Sequence, residues 1–252
     1  MKTTAMKNYL FLLVLPLTMA LNAQQYELPA RAPRDQQIKH SLFTVSYSEG
    51  YELASWVAWQ LTPEQSRATG TFKEKYNEDP AVTTGSSSTK DYKDAGFMMG
   101  HLAPPEDMFT SQAAVEETFL MSNVVPHKPA FNKYVWKANE KLLREWAKEG
   151  NTLYIAAGPV LSDAPFGTFG PNKVSIPLRY YKVVLDVSGN RAIGFIFRNN
   201  ASSGTQKSFA ISVDELEKIT GIDFFPALPD GVEQAVESST DFDKWNFKTL
   251  EQ

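Results

Sequence analysis

Hydrophobic positions along the chain change period several times, and each change marks an element. Leu42-Phe43-Thr44-Val45-Ser46-Tyr47 alternates apolar with polar residues, as a half-buried strand does. Glu49-Gly50 punctuates it, and an apolar, aromatic run containing Trp56 and Trp59 resumes from Leu53 to Leu61. Residues 62–95 lose the period and are rich in Gly, Ser, Thr, Lys and Asp, which predicts a long loop. A loop of that length in a compact domain usually carries function. Helical spacing of apolar residues runs from about Ser111 to Leu120, and more strongly from Asn132 to Lys148. Strand-like runs follow at Leu153–Ala157, Val174–Ile176, Tyr180–Val187 and Ala192–Arg198, with Ser188-Gly189-Asn190 as a hairpin turn between the last two. Ser212 is placed to cap a helix over Val213–Thr220, with Glu215 at the capping-box position and Gly221 to end it. Strands, loops, helix, strands and helix in that order predict an α+β fold.

The two ends follow other rules. Lys2 and Lys7 lead into an apolar run from Tyr9 to Leu17, and Ala23 precedes a polar stretch. That is the pattern of an export signal cut after Ala23, too short to span a bilayer, which needs about 20 residues. The expected organisation is a signal peptide over 1–23, a flexible lead-in over 24–40, one domain over 41–230, and a tail over 231–252 docked on it through Phe242, Trp245 and Phe247. The mature chain is expected to be secreted or periplasmic, with no membrane contact. Its 229 residues (252 − 23) are enough for one well-cored domain. Without Lys2 and Lys7 the formal charge goes from −4 to −6, which excludes a generally basic surface and leaves room only for a local basic patch. There is no cysteine, so neither disulfides nor thiolate metal sites contribute.

Candidate chemistry starts with the three histidines, His40, His101 and His127, because imidazole is the side chain best placed to take a proton near neutral pH. His101 lies between Gly96-Phe97-Met98-Met99-Gly100 and Leu102-Ala103-Pro104-Pro105, which puts it on an irregular, shaped segment. A lone histidine in such a place is more often structural than catalytic. Downstream, Asn132, Trp136, Glu140 and Arg144 step by four along one helix and share nearly one face. An amide, an indole, a carboxylate and a guanidinium do not make a core face. Two readings remain: a solvated face with a Glu140–Arg144 ion pair, or a site for a hard cation that accepts oxygen ligands.

Taken in order, these stretches resemble the DNA/RNA non-specific endonuclease family, which includes the endonuclease G type. Its signature, Asp-Arg-Gly-His-Leu-Ala-Pro, Glu-Thr-Phe and Ser-Asn-x-x-Pro-Gln, is matched by Met98-Met99-Gly100-His101-Leu102-Ala103-Pro104, Glu117-Thr118-Phe119 and Ser122-Asn123 through Pro126. Asn132, Trp136, Glu140 and Arg144 follow at the family's spacing, and the likeness runs over roughly residues 42–228. The resemblance implies the ββα-metal (His-Me finger) fold, with a mainly antiparallel sheet flanked by helices, and metal-dependent hydrolysis of DNA and RNA through backbone contacts. It assigns His101 as general base, Asn132 as the direct ligand of Mg²⁺ or Mn²⁺, and Glu140 as holder of a metal-bound water. It further assigns Asn123 to positioning and Arg144 to phosphate. Three departures stand out. Met98-Met99 replace Asp-Arg, and His127 replaces Gln. The upstream arginine is missing, and Lys73 or Lys75 is the expected stand-in for phosphate contact. The alternative is an impaired nuclease fold that binds nucleic acid or another phosphate-bearing ligand.

Overall fold

The computed structural model describes residues 24–250; the leader, Met1–Ala23, lies outside the described residues. Strands β1 (Gln36–Lys39), β2 (Phe43–Ser48) and β3 (Leu53–Leu61) form a meander. The chain then leaves the sheet through short helices α1 (Pro63–Arg67) and α2 (Thr89–Tyr92), strand β4 (Met98–His101), helix α3 (Gln112–Glu117), strand β5 (Val124–His127) and helix α4 (Lys137–Lys148). It returns at β6 (Leu153–Pro159), which pairs directly with β3. A small ribbon of β7 (Thr168–Phe169) and β8 (Val174–Ser175) precedes β9 (Arg179–Asp186), β10 (Arg191–Arg198) and β11 (Ala210–Ile211). Helices α5 (Val213–Thr220) and α6 (Asp230–Glu237) close the order. The main sheet is β1-β2-β3-β6-β9-β10-β11, antiparallel throughout. This is the α+β architecture that the element order predicts.

Both faces of the sheet are covered, and strand alternation sorts residues between them. Val57, Trp59, Ile155, Tyr180, Val184 and Phe195 join one core with α4, while Trp56, Ala58, Ala156, Tyr181, Val183 and Leu185 join a second with α5 and α6. The excursion between β3 and β6 builds on the first face. Residues 62–95 contain only the short helices α1 and α2, and two buried carboxylates fasten them: Asp79 accepts from Ser122 and pairs with His40 at 3.2 Å, and Asp91 accepts from the Ser88 and Asn172 backbone.

The lead-in expected to be mobile is instead laid down. Its residues 36–39 pair with β2, Ala30 donates to the Asp223 carbonyl, and Glu27 is buried and accepts from Gln60. Its polar composition misled because an edge strand is held by backbone hydrogen bonds, which composition does not disclose. In the tail, α6 starts at Asp230, and Trp245 is buried against Trp146 with ring centroids 4.5 Å apart. Ser212 caps α5 by accepting from the Glu215 amide, and Gly221 ends it at φ 71°, a left-handed conformation that glycine adopts without strain. No helix among the described residues is long and apolar enough to cross a membrane.

Candidate active site

Strands β4 and β5 pair antiparallel with Met98 opposite His127 and His101 opposite Val124, and Trp136, just before α4, packs against the His127 ring. Gly100 makes this ribbon possible: a Cβ at that position would collide with the His127 ring. The run into α4 begins with a π turn over Phe131–Trp136, closed by the Lys137 amide donating to the Asn132 carbonyl. Such turns interrupt α-helices frequently at functional sites. The widened turn carries Asn132.

A cavity of about 630 Å³ opens over this ribbon, and His101, Asn132 and Glu140 all line it. The His101 ring is fixed by Tyr76, stacked with centroids 5.6 Å apart, and by Phe119, edge-on at 5.0 Å. Its backbone carbonyl accepts from Trp136 Nε1 at 3.0 Å, which ties β4 to the helix. Nε2 of His101 is buried and has no hydrogen-bond partner. Burial, with Lys137 nearby, lowers the imidazole from 6.5 to about 4, so the ring is neutral at physiological pH. Asn132 Oδ1 faces His127 Nδ1 at 3.0 Å, and its Nδ2 lies 3.8 Å from the Met98 sulfur. His127 itself is fully buried among Phe131, Trp136 and Tyr180, with Tyr180 edge-on at 4.6 Å. It therefore orients the Asn132 amide from beneath.

Behind Glu140 lies a residue that sequence reasoning passed over. Lys182, in the middle of β9, is fully buried, with Nζ 3.8 Å from Glu140 Oε1 and 4.0 Å from the Trp136 ring centroid. Burial pushes the Glu140 carboxyl up and the Lys182 ammonium down, and their mutual attraction opposes both shifts. The signal was available in the sequence: a lysine flanked by Tyr180-Tyr181 and Val183-Val184 has no solvent side to reach.

Asn123 does not reach the cavity. Fully buried, its Nδ2 donates to the Ala103 and Thr118 carbonyls and its Oδ1 accepts from the Ala103 amide, which clamps the turn that follows His101. It is a positioning residue. Two expectations need correction. Arg144 does not face the cavity but donates to Asp107 at 3.0 Å, and the same buried carboxylate accepts from Trp59 Nε1. A buried carboxylate requires a counter-charge, and Arg144 supplies it. Lys73 and Lys75 are exposed and do not line the cavity; the extended segment turns Phe72, Glu74 and Tyr76 toward it. The cations on the rim are Lys90, Lys93 and Lys137. Lys90 and Lys93 sit in a stretch without a motif, and Lys137 falls between the motif positions Trp136 and Glu140, so nothing in the sequence marks them as rim cations.

The side chains fit a divalent cation. Asn132 retains a carbonyl lone pair beyond the one that faces His127, Glu140 adds a carboxylate, and the chain has no cysteine to supply a thiolate. The amide and carboxylate oxygens of Asn132 and Glu140 suit a hard ion.

Comparisons with known proteins identify the family and the fold. A family model for DNA/RNA non-specific endonucleases matches residues 22–231. A nuclease of Nostoc sp. is 31% identical over 215 residues, which are 79% of this chain and 76% of that protein. Mitochondrial endonuclease G of Homo sapiens is 28% identical over 220 residues, covering 81% and 73% of the two chains. Among solved structures, the EndoG/EndoGI complex superposes with a TM-score of 0.71 at 22% identity, over 78% of this chain and 88% of that one, and so shares the fold. With the matched model spanning both β strands of the ribbon and the helix that carries Asn132, this chain belongs to the DNA/RNA non-specific endonuclease family.

Proposed function

We propose that the protein is an exported, metal-dependent endonuclease that hydrolyses phosphodiester bonds of DNA and RNA, with His101 as general base. The observation that carries this reading is the unpartnered Nε2 of His101 in the same cavity as the Asn132 amide and the Glu140 carboxylate. Asn132 and Glu140 would hold the cation, Mg²⁺ or Mn²⁺. It would supply Lewis-acid stabilisation of the charge that develops on the phosphate and on the leaving oxygen.

The chain's own residues do the rest. Neutral His101 accepts a proton at Nε2 from the attacking water, and Tyr76, stacked on the ring, and Phe119, edge-on to it, hold the imidazole in the cavity wall. A phosphodiester in the cavity is an anion, so its arrival raises the basicity of a ring that burial has lowered. Lys90, Lys93 and Lys137 attract the nucleic-acid backbone without reading bases, in keeping with a non-specific substrate. Export rests on the residue pattern of the leader alone.

Plasmid DNA and RNA incubated with the purified mature chain are expected to be cut with Mg²⁺ and spared with EDTA. His101→Ala is expected to lose roughly 10²–10⁴ of the rate. Absence of metal-dependent cutting, or cutting that His101→Ala leaves intact, rejects the reading. One observation favours a second reading, a binder without turnover. Met98, 42% exposed, and Met99 line the cavity where the family signature carries Asp and Arg. If the parent is inert and Met98→Asp with Met99→Arg cuts, the binder is correct.

A further inference from the structure

On the other face of the sheet, three carboxylates meet without a counter-charge. Asp214 and Glu217 lie three apart on α5 and so share one side of that helix, and Glu237 ends α6. A carboxylate oxygen from each lies within 4.8 Å of the other two. Among the described residues, no Lys, Arg or His lies within ion-pair distance of any of them. Glu217 spends one oxygen on the Phe224 amide at 2.7 Å. Glu237 is only 6% exposed, and its Oε1 is buried with no hydrogen-bond partner. A nearly buried carboxyl that converges with two others and keeps an unpaired oxygen is a costly arrangement unless something positive sits among them.

We propose that Asp214, Glu217 and Glu237 form a second cation site, separate from the catalytic cavity, that takes Ca²⁺. The donor set selects the ion. Only oxygens are offered, which excludes ions that prefer nitrogen or sulfur. Three carboxylates converging from two helices suit the high and flexible coordination of Ca²⁺, whereas Mg²⁺ holds its waters and usually takes one or two carboxylates. Asp214 and Glu217 are half-buried, which leaves a path for the ion from solvent. Bound there, Ca²⁺ ties α5 to α6 over the second core, where Leu216 and Val236 pack. Its competitor for the site is a proton, because burial and the neighbouring Glu217, Glu233, Asp214 and Asp223 push Glu237 up to about 9.

The test uses the full mature chain, stripped with chelator and carrying Asn132→Ala so that the catalytic cavity loses its amide ligand. Calorimetric titration with CaCl₂ is expected to show one site, and Tm is expected to climb with CaCl₂, by several degrees at about 100-fold excess over Kd. The same titration is repeated with Asp214→Asn, Glu217→Gln and Glu237→Gln added, and the heat and the Tm shift should vanish. Retained Mg²⁺-dependent cutting by the triple variant with Asn132 restored, or retained near-UV circular dichroism if the parent does not cut, shows that it still folds. No Ca²⁺ heat or Tm response in the parent overturns the proposal and leaves the proton as the occupant. Equal binding by the triple variant overturns it as well. Neither result bears on whether His101 drives hydrolysis.

Discussion

The two faces of the sheet bury charge in opposite ways. On the catalytic face the two acids beside the cavity helix each have a base: Lys182 lies 3.8 Å from Glu140, and Arg144 lies 3.0 Å from Asp107. On the opposite face Asp214, Glu217 and Glu237 converge with no base in reach among the described residues. Side chains that neutralise one another fix a site's shape permanently. A cluster that lacks its own counter-charge makes its shape depend on what solution provides, whether proton or metal. The catalytic face therefore keeps its charge pattern inside the protein, where Lys182 holds Glu140 in the cavity that His101 also lines. The far face leaves that balance to solvent.

The sharpest way to break the contrast is to remove a counter-charge from the paired face. Lys182→Met deletes a fully buried ammonium and strands Glu140, at a cost of about 3–5 kcal/mol. Tm should fall by on the order of 10 °C. Adding Glu140→Gln to Lys182→Met should recover at least half of that loss, because the uncompensated carboxylate goes with it. A Lys182→Met protein that melts like its parent would show that the pair contributes nothing.

Acid attacks the same face by another route. Burial pushes the His101 imidazole down to about 4 in the fold, from its ordinary 6.5. Above pH 6.5 neither state holds the proton, so no penalty arises. As pH falls from 6.5 toward 4 the unfolded chain takes a proton that the fold refuses, and stability declines by up to ~3 kcal/mol from this residue. Chemical denaturation across that window should show a flatter pH slope for His101→Asn than for the parent. Identical slopes would mean that the ring is not held neutral by burial.

Arg144 separates structure from substrate contact. Arg144→Met strands Asp107, but the arginine side chain is 18% exposed and water compensates in part, so about 2 kcal/mol is expected. KM for plasmid should stay within a factor of two. A large rise in KM with unchanged Tm would restore the phosphate role and remove Asp107 from the paired set.

Legibility followed the same division. Period and punctuation located β2, β9, β10 and α5 closely, because each buries a regular stripe or carries a local cap. His101 and Asn132 were legible because motif residues with fixed spacing come from one ribbon and one helix. The destination of Arg144 was not, since the i+4 rule gives a face and says nothing of what packs against it. Asp107, 37 residues away, decides that. Lys73 and Lys75 failed through strand parity, which an aperiodic loop hides, and the rim lysines 90 and 93 depend on how Asp91 folds that loop. The carboxylate cluster joins residues 23 apart on two helices whose packing no local pattern encodes.

The smallest expected effect has the opposite sign and bears most directly on the contrast. On the paired face, removing a charge destabilises because its partner remains. On the far face Glu237 has only like charges for company, so Glu237→Gln removes repulsion and a buried, ionisable group while keeping the shape of the side chain. In chelated protein at pH 7 to 8 this substitution should stabilise by about 1 kcal/mol, the low end of the cost of burying a polar oxygen without a hydrogen-bond partner. Differential scanning calorimetry in EDTA would show Tm higher by a few degrees. With saturating Ca²⁺ the order should invert, since the parent then gains a ligand that Gln cannot hold as well. A variant less stable than its parent in both conditions would mean that Glu237 has a partner inside the protein, and the two faces would then bury charge in the same way.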